Sequence, residues 1–304
     1  MAWLEYLLPL IFLLPLGAMA VIVIALRNLH DARVRSPFDA HQLREPGQAL
    51  RDRLDRAFAG LFLNGALGPI LILAPLVYGM GRMLFASEQD WIEWGFYGVL
   101  TTVLALLFCF LLIRDFQRIR RLKLGLACEL AVGQELERLI RPDTHPYVIF
   151  HDIPADTYTI DHVAVTPHGV FVVETRARTR PLDATGQERS HVTVEHEHLR
   201  FPGWKERRPL RKTRQAVQWL RQWLAREGNS RVPVHGVLAL PGWVIDTRNG
   251  PEDLLVVSGD HLAEELRKMT LGEMTDQDHD DVIHALMKRA AIVDELRHLQ
   301  NPSV

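Results

Sequence analysis

Long apolar runs dominate the start of the chain, and shorter apolar stretches broken by polar positions follow them. Residues 7–26, 58–80 and 95–113 are almost entirely apolar. A helix needs about 20 such residues to cross the hydrocarbon core of a bilayer, so each run is long enough. The pattern therefore predicts a three-span transmembrane region at residues 1–115, with a loop at residues 27–57 between the first two spans.

After residue 115 the apolar positions recur at helical or strand spacing. Helical spacing predicts helices at 124–139, 210–227, 260–268 and 279–299. Short apolar runs predict strands at 147–152, 159–166, 169–174, 192–194, 199–201, 234–240 and 254–258. This order predicts an α+β fold, a mixed sheet with flanking helices, over residues 116–260. Residues 261–304 are predicted to form a C-terminal helical extension.

Basic residues are unevenly distributed around the apolar runs. Loop 27–57 contains seven arginines, and five basic residues lie between 114 and 123. The segment 81–94 instead has three acidic residues and one arginine. Because cytoplasmic loops are enriched in Lys and Arg, both basic segments are expected in the cytoplasm. We therefore expect an integral protein of the inner or plasma membrane, with the N-terminus outside, a cytoplasmic folded domain and the lipid bilayer as a partner.

The composition narrows the function classes. A net charge of -2 argues against a protein that coats nucleic acid over its whole surface. The apolar runs contain almost no ionisable residues, which disfavours a transporter or channel. Residues 18–20 resemble a signal-peptide cleavage site, but Glu5 stands where a basic leader is expected and the apolar run continues beyond residue 20. An uncleaved anchor is therefore the favoured interpretation.

Residues 161–176 predict a hairpin with one carboxylate on each strand. Side chains alternate between faces along a strand, so a hairpin can bring Asp161 and Glu174 onto one face. Two such carboxylates suit a hard divalent cation such as Mg²⁺ or Mn²⁺. A rim aspartate that bonds only to neighbouring backbone is the alternative for Asp161. Arg176 follows Glu174 by two positions, and alternation places it on the same side.

Six blocks of the sequence occur in the order typical of a known nuclease-like domain. The blocks are residues 125–136, 151–154, 160–163, 169–176, 201–204 and 240–243. Together they resemble the nuclease-related (NERD) domain, a branch of the PD-(D/E)xK nuclease superfamily. The resemblance implies an αβββαβ restriction-endonuclease-like core and metal-dependent hydrolysis of nucleic acid. Two positions depart from the family pattern: Cys128 replaces a usual glycine, and Arg176 replaces the catalytic lysine.

The resemblance also implies roles for individual residues. Asp161 and Glu174 are the expected metal ligands, and Glu129 on the first helix is expected to point into the site. Arg176 completes the expected catalytic set, and arginine can grip phosphate but cannot act as a base. Lys205 or Lys212 could substitute for the missing lysine in space.

A basic segment follows the predicted hairpin and suits a phosphodiester backbone. The leading hypothesis is a membrane-anchored, Mg²⁺-dependent nuclease that acts on DNA or RNA. The alternative is a catalytically degenerate nuclease fold that binds nucleic acid or a protein at the membrane. The residues expected to contact nucleic acid are Lys205, Arg207, Arg208, Arg211, Lys212 and Gln215.

Overall fold

The computed structural model describes Val21 and residues 44–85, 90–140 and 147–300 of the 304-residue chain. The first predicted span, residues 7–26, lies outside the described residues except for Val21, which is helical. Contacts group the chain into two compact units. Among the described residues, one unit contains Val21 and residues 52–85 and 90–122, and the other joins residues 44–51 to residues 123–140 and 147–300. Part of the predicted loop 27–57 thus groups with the folded unit, as do residues 261–300 of the predicted extension.

Helices and strands follow one another in the order that the apolar spacing predicts, with two additional strands. The helices are α1 (Gln48–Phe85), α2 (Trp91–Glu137), α3 (Arg208–Arg226), α4 (Leu262–Lys268) and α5 (Asp276–Gln300). The strands are β1 (Val148–Pro154), β2 (Thr159–Thr166), β3 (Gly169–Thr175), β4 (His191–Glu195), β5 (Leu199–Phe201), β6 (Trp204–Glu206), β7 (Val234–Ala239), β8 (Val244–Asn249) and β9 (Leu254–Val257).

The first unit contains most of α1 and the apolar part of α2. By length and composition both helices could cross a membrane. Only 6% of the most apolar stretch of α1 and 0% of that of α2 is buried. Close packing occurs at Gly68, which lies directly against the ring of Phe108 because glycine has no side chain. Asn64 Nδ2 donates a 2.9 Å hydrogen bond to Asp115 Oδ2 within this unit. These helices contain the second and third predicted spans.

Helix α2 is longer than predicted. The helix expected at 124–139 is the last part of α2, which continues without a break from Trp91 to Glu137. The basic segment 114–123 contains no Gly or Pro, and its Arg, Leu and Lys residues favour helix. The apolar run and the first helix of the folded domain are therefore one element.

A five-stranded mixed sheet forms the centre of the folded unit, in the order β1-β2-β3-β7-β9. Strands β1, β2 and β3 are antiparallel, while β7 and β9 run parallel to β3 and to each other. The turn between β2 and β3 requires Gly169, whose φ is +136° and where a Cβ would lie 3.0 Å from the Pro233 carbonyl oxygen. The expected α+β core of a nuclease-like fold is confirmed.

Each face of this sheet packs against two helices. Val163 and Val172 belong to a core that includes residues of α3 and α5, such as Leu220. Phe171 and Val173 belong to a second core that includes residues of α2 and α4. Alternate side chains of the hairpin β2–β3 therefore face α3 on one side and α2 on the other.

A second sheet of four strands has the order β6-β5-β4-β8. The predicted strands 192–194 and 199–201 are confirmed as parts of β4 and β5. Strands β6 and β8 were not predicted, because each contains mostly polar residues and neither shows an apolar run. The aromatic residue Trp204 on β6 stacks on Phe201 at a ring distance of 4.9 Å, which holds this short strand in place.

Candidate active site

The pairing of β2 with β3 brings two carboxylates together. His162 lies opposite Val173, so Asp161 and Glu174 occupy the next opposed position of the ladder. Opposed residues of an antiparallel pair point to the same face, with Cβ atoms about 5 Å apart. Asp161 is 7% exposed and Glu174 only 2% exposed. Both side chains point toward α3.

Lys212 on α3 reaches both carboxylates. Its Nζ forms an ion pair with Glu174 Oε2 and lies 3.5 Å from Asp161 Oδ1. Asp161 Oδ2 accepts a 2.8 Å hydrogen bond from the Thr175 backbone N–H. Among the described residues, Glu174 Oε1 has no hydrogen-bond donor. Within this part of the chain, a buried acceptor atom beside the lysine thus lacks a hydrogen-bond partner.

Burial and mutual charge shape the ionisation of this group. Burial raises the pKa of Glu174 well above its usual value, and the negative charge of Asp161 raises it further. Burial alone would lower the pKa of Lys212, but Asp161 and Glu174 outweigh it and raise the pKa. Lys212 therefore keeps its positive charge at neutral pH and compensates the two carboxylates.

Glu129 supplies a third acidic group to the same electrostatic cluster. It lies on the part of α2 that belongs to the folded unit, beyond the apolar run, and is 9% exposed. Burial, followed by the charges of Asp161 and Asp152, raises the pKa of Glu129 to about 9. At neutral pH the side chain is therefore protonated and can donate a hydrogen bond.

Arg176 is not the cation that contacts the carboxylates. Strand β3 ends at Thr175, and the Arg176 Nε lies 3.8 Å from Glu206 Oε2 on β6. Arg178 binds the same Glu206 through two hydrogen bonds of 2.6 Å each. Burial, followed by the neighbouring charge of Arg178, lowers the pKa of Arg176. The structure thus places Lys212, rather than Arg176, between Asp161 and Glu174.

The remaining basic residues form an exposed surface at the start of α3. Lys205 lies on β6, while Arg207 and Arg208 stand where α3 begins. Arg208 is close enough to affect the pKa of Arg176. Lys212, in contrast, is half-buried in the carboxylate cluster. The exposed members of the predicted nucleic-acid set are Lys205, Arg207, Arg208, Arg211 and Gln215.

His162 takes no part in the carboxylate face. It points to the opposite side of β2, as alternation predicts, and is fully buried. Its Nδ1 lies 2.8 Å from Nδ1 of His151 on β1. Burial lowers the pKa of His162 to about 3 and that of His151 to about 4, so both imidazoles are neutral at pH 7.

The acidic residues fit a divalent cation that has few protein ligands. Within the described ranges, no three His, Cys, Asp or Glu side chains are placed to hold a metal by themselves. Mg²⁺ commonly uses only one or two carboxylates, with water and substrate phosphate oxygens completing its shell. Asp161 and Glu174 provide those two carboxylates, and Glu174 Oε1, which lacks a hydrogen-bond partner among the described residues, is a suitable metal-ligand atom. Asp161 and Glu174 are therefore chemically suited to hold Mg²⁺ or Mn²⁺.

Sequence reasoning did not assign two features of the site. Lys212 was considered a spatial substitute for the missing lysine, but nothing in the sequence singled it out from Lys205. Its helical spacing from the buried Pro209 and Ala216 was an available signal, because residues three and four apart share a helix face. The burial of Asp152, which is 2% exposed beside this cluster, had no sequence signal.

The sheet, its opposed carboxylates and the lysine from the crossing helix define a nuclease-like α+β domain. Comparison with protein families identifies this part of the chain: residues 124–241 match the nuclease-related domain, NERD. The match begins within α2 and ends just after β7, so it includes all the acidic and basic groups described above. No curated protein and no solved structure matches the chain.

Proposed function

We propose that this domain hydrolyses phosphodiester bonds of nucleic acid with Mg²⁺ or Mn²⁺ held by Asp161 and Glu174. The observation that supports this most strongly is the position of Lys212, whose Nζ reaches both carboxylates. The chain has Arg176 where a lysine is usual, yet Lys212 of α3 lies beside the two carboxylates. Lys212 on α3 would thus supply the cation that the usual lysine provides beside the two carboxylates.

Each residue has a distinct part in the proposed reaction, in which water attacks phosphorus and a P–O bond breaks. The bound cation would neutralise phosphate charge and favour ionisation of the attacking water. Asp161 and Glu174 hold that cation on one face of the hairpin. Lys212, with its raised pKa, stabilises negative charge on the phosphate rather than accepting a proton. Protonated Glu129 can donate a hydrogen bond within the same cluster.

A cleavage assay on the full-length protein in detergent tests the proposal. We expect cleavage of DNA or RNA with Mg²⁺ and loss of cleavage on chelation. Asp161→Asn should abolish both cleavage and Mg²⁺ binding by calorimetry, because it removes a ligand charge with little change of shape. Asp281→Asn makes the same substitution at an exposed position of α5 and should preserve both. Cleavage that survives in Asp161→Asn would reject this assignment.

The same preparation distinguishes the non-catalytic alternative. A binding module would show no cleavage with any tested nucleic acid but would retain salt-sensitive affinity through the exposed cations. Arg208→Ala should then weaken binding and reduce the salt slope by about 1. Arg226→Ala is the matched control, since Arg226 is exposed about 27 Å farther along α3. Equal effects of the two changes would indicate nonspecific attraction.

We also propose that the domain lies on the cytoplasmic side of a membrane crossed by α1 and α2. The basic residues before and in the first turns of α1, and those after the apolar part of α2, support this orientation. Reporter fusions after Arg56 and after Lys123 should report cytoplasm, and a fusion at Asp90 should report the exterior. An external signal from the Lys123 fusion would overturn the orientation.

A further inference from the structure

Residues 44–50, which lead into α1 and form its first turn, pack against the part of α2 that carries Glu129. Three close approaches define the contact. A Cβ added at Gly133 would lie 2.7 Å from Pro46, and one at Gly125 would lie 3.1 Å from Leu50. The third approach is at Gly47, where an added Cβ would lie 3.4 Å from Glu129 Oε2. Both surfaces meet at glycines, which allows the two backbones to come close. We call residues 44–50 the cap segment.

Asp152 anchors the cap segment to the sheet. Its Oδ2 accepts a 3.0 Å hydrogen bond from the Ala49 backbone N–H, and its carbonyl oxygen accepts a 3.2 Å bond from Arg44 Nη1. Arg44 is only 5% exposed and Asp152 only 2%. The φ of Asp152 is +50°, in the left-handed region that favours Gly, Asn and Asp. A strained backbone and a buried carboxylate are thus both used to hold this segment.

Gly47 places the cap segment directly over Glu129. Its φ is +72°, and an added Cβ would lie 3.4 Å from Glu129 Oε2 and 2.6 Å from Leu126 Cδ1. A carboxylic acid on a helix surface is normally solvated, yet Glu129 is 9% exposed. The backbone of the cap segment occupies space that water or a cation would otherwise fill.

We propose that the cap segment closes the site in cis: anchored by Asp152, it controls the access of solvent and divalent cations to Glu129. Asp152 is then a positioning residue, since it acts on Glu129 through the backbone of residues 44–50. The meaning of this control for catalysis rests on the proposed function, in which Glu129 belongs to the site. The control itself does not depend on catalysis.

Carbodiimide labelling of carboxylates in the full-length protein, read by mass spectrometry, measures access to Glu129 directly. In the wild type Glu129 should be protected. Asp152→Gly removes the side-chain acceptor of the Ala49 N–H while keeping a residue that accepts positive φ, so labelling of Glu129 should rise several-fold. Asp152→Asn retains a side-chain acceptor for the Ala49 N–H, and asparagine tolerates the positive φ, so Glu129 should stay protected. Equal labelling of Glu129 in Asp152→Gly and Asp152→Asn would overturn the anchoring role.

A second variant pair tests the cap itself. Gly47→Ala should also expose Glu129, because the added Cβ displaces the segment. Gly186→Ala has a comparable positive φ of +81° but no neighbour within 4 Å, so it should leave Glu129 protected. Glu174, which is 2% exposed, is the internal reference, since unfolding would label it as well. Unchanged labelling of Glu129 in folded Gly47→Ala would overturn the proposal, whether or not the domain cleaves nucleic acid.

Discussion

Replacing Lys212 with methionine is expected to reduce Mg²⁺-dependent cleavage by a factor of about 10²–10³, the usual loss when one preorganised charge-stabilising group is removed. Methionine keeps much of the length and apolar stem of lysine but removes the ammonium. Asp161 and Glu174 would then lack the cation that Lys212 provides. Single-turnover cleavage with excess enzyme measures this loss without a contribution from product release.

Arg176 supplies the matched comparison for Lys212. Because Arg176 pairs with Glu206 rather than with the carboxylates, Arg176→Met should reduce cleavage far less than Lys212→Met. Arg176→Lys should keep or raise the rate, since it introduces the lysine usual at this position. Thermal unfolding of Lys212→Met and Arg176→Met must be compared with that of the wild type, because Lys212 also compensates buried charge. A large loss in Arg176→Met with little loss in folded Lys212→Met would show that the lysine has been misassigned.

Glu129→Gln is expected to make the stability of the protein less sensitive to alkaline pH. The folded-state pKa of Glu129 is raised from 4.5 to about 9, so between these values the folded protein holds a proton that the unfolded chain releases. The stability contribution is therefore fully present below the unfolded pKa and is lost as pH rises toward 9. The wild type should lose stability on the order of 1 kcal/mol per pH unit relative to Glu129→Gln across this window.

Denaturant unfolding followed by tryptophan fluorescence, in detergent and at several pH values, measures this difference. Groups that titrate in both proteins cancel when the variant is compared with the wild type. Glu135→Gln, on the same helix, is the control and should follow the wild type. A constant difference between wild type and Glu129→Gln from pH 5 to pH 9 would show that Glu129 does not retain its proton on folding.

Local periodicity was sufficient to predict that the two carboxylates of the hairpin share one face of the sheet. Strands β2 and β3 are joined by a short turn, so the register follows from the position of Gly169. Alternation then determines that Asp161 and Glu174 share a face and that His162 faces away. The same rule could not reveal that Arg176 contacts Glu206, because Glu206 lies on β6 of the second sheet.

The position of Lys212 beside the two carboxylates could not be predicted in this way. Lys212 lies 51 residues from Asp161 in sequence, and their proximity depends on how α3 packs on the sheet. The cap segment is even farther from Asp152 in sequence, with a separation of 103 residues between Ala49 and its acceptor. Strand β8 escaped prediction because its pairing with β4, rather than an apolar pattern, makes it a strand.

The contact between His151 and the buried His162 has one consequence for proton placement. Their Nδ1 atoms face each other at 2.8 Å while both rings are neutral, so only one of the two atoms can carry hydrogen. The histidines must therefore adopt opposite tautomers. If His162 is the acceptor, its Nε2 carries the proton and points at the Thr175 hydroxyl, 3.5 Å away. The tautomer of His162, on the sheet face opposite the carboxylates, then orients the Thr175 hydroxyl. The backbone N–H of the same Thr175 donates to Asp161.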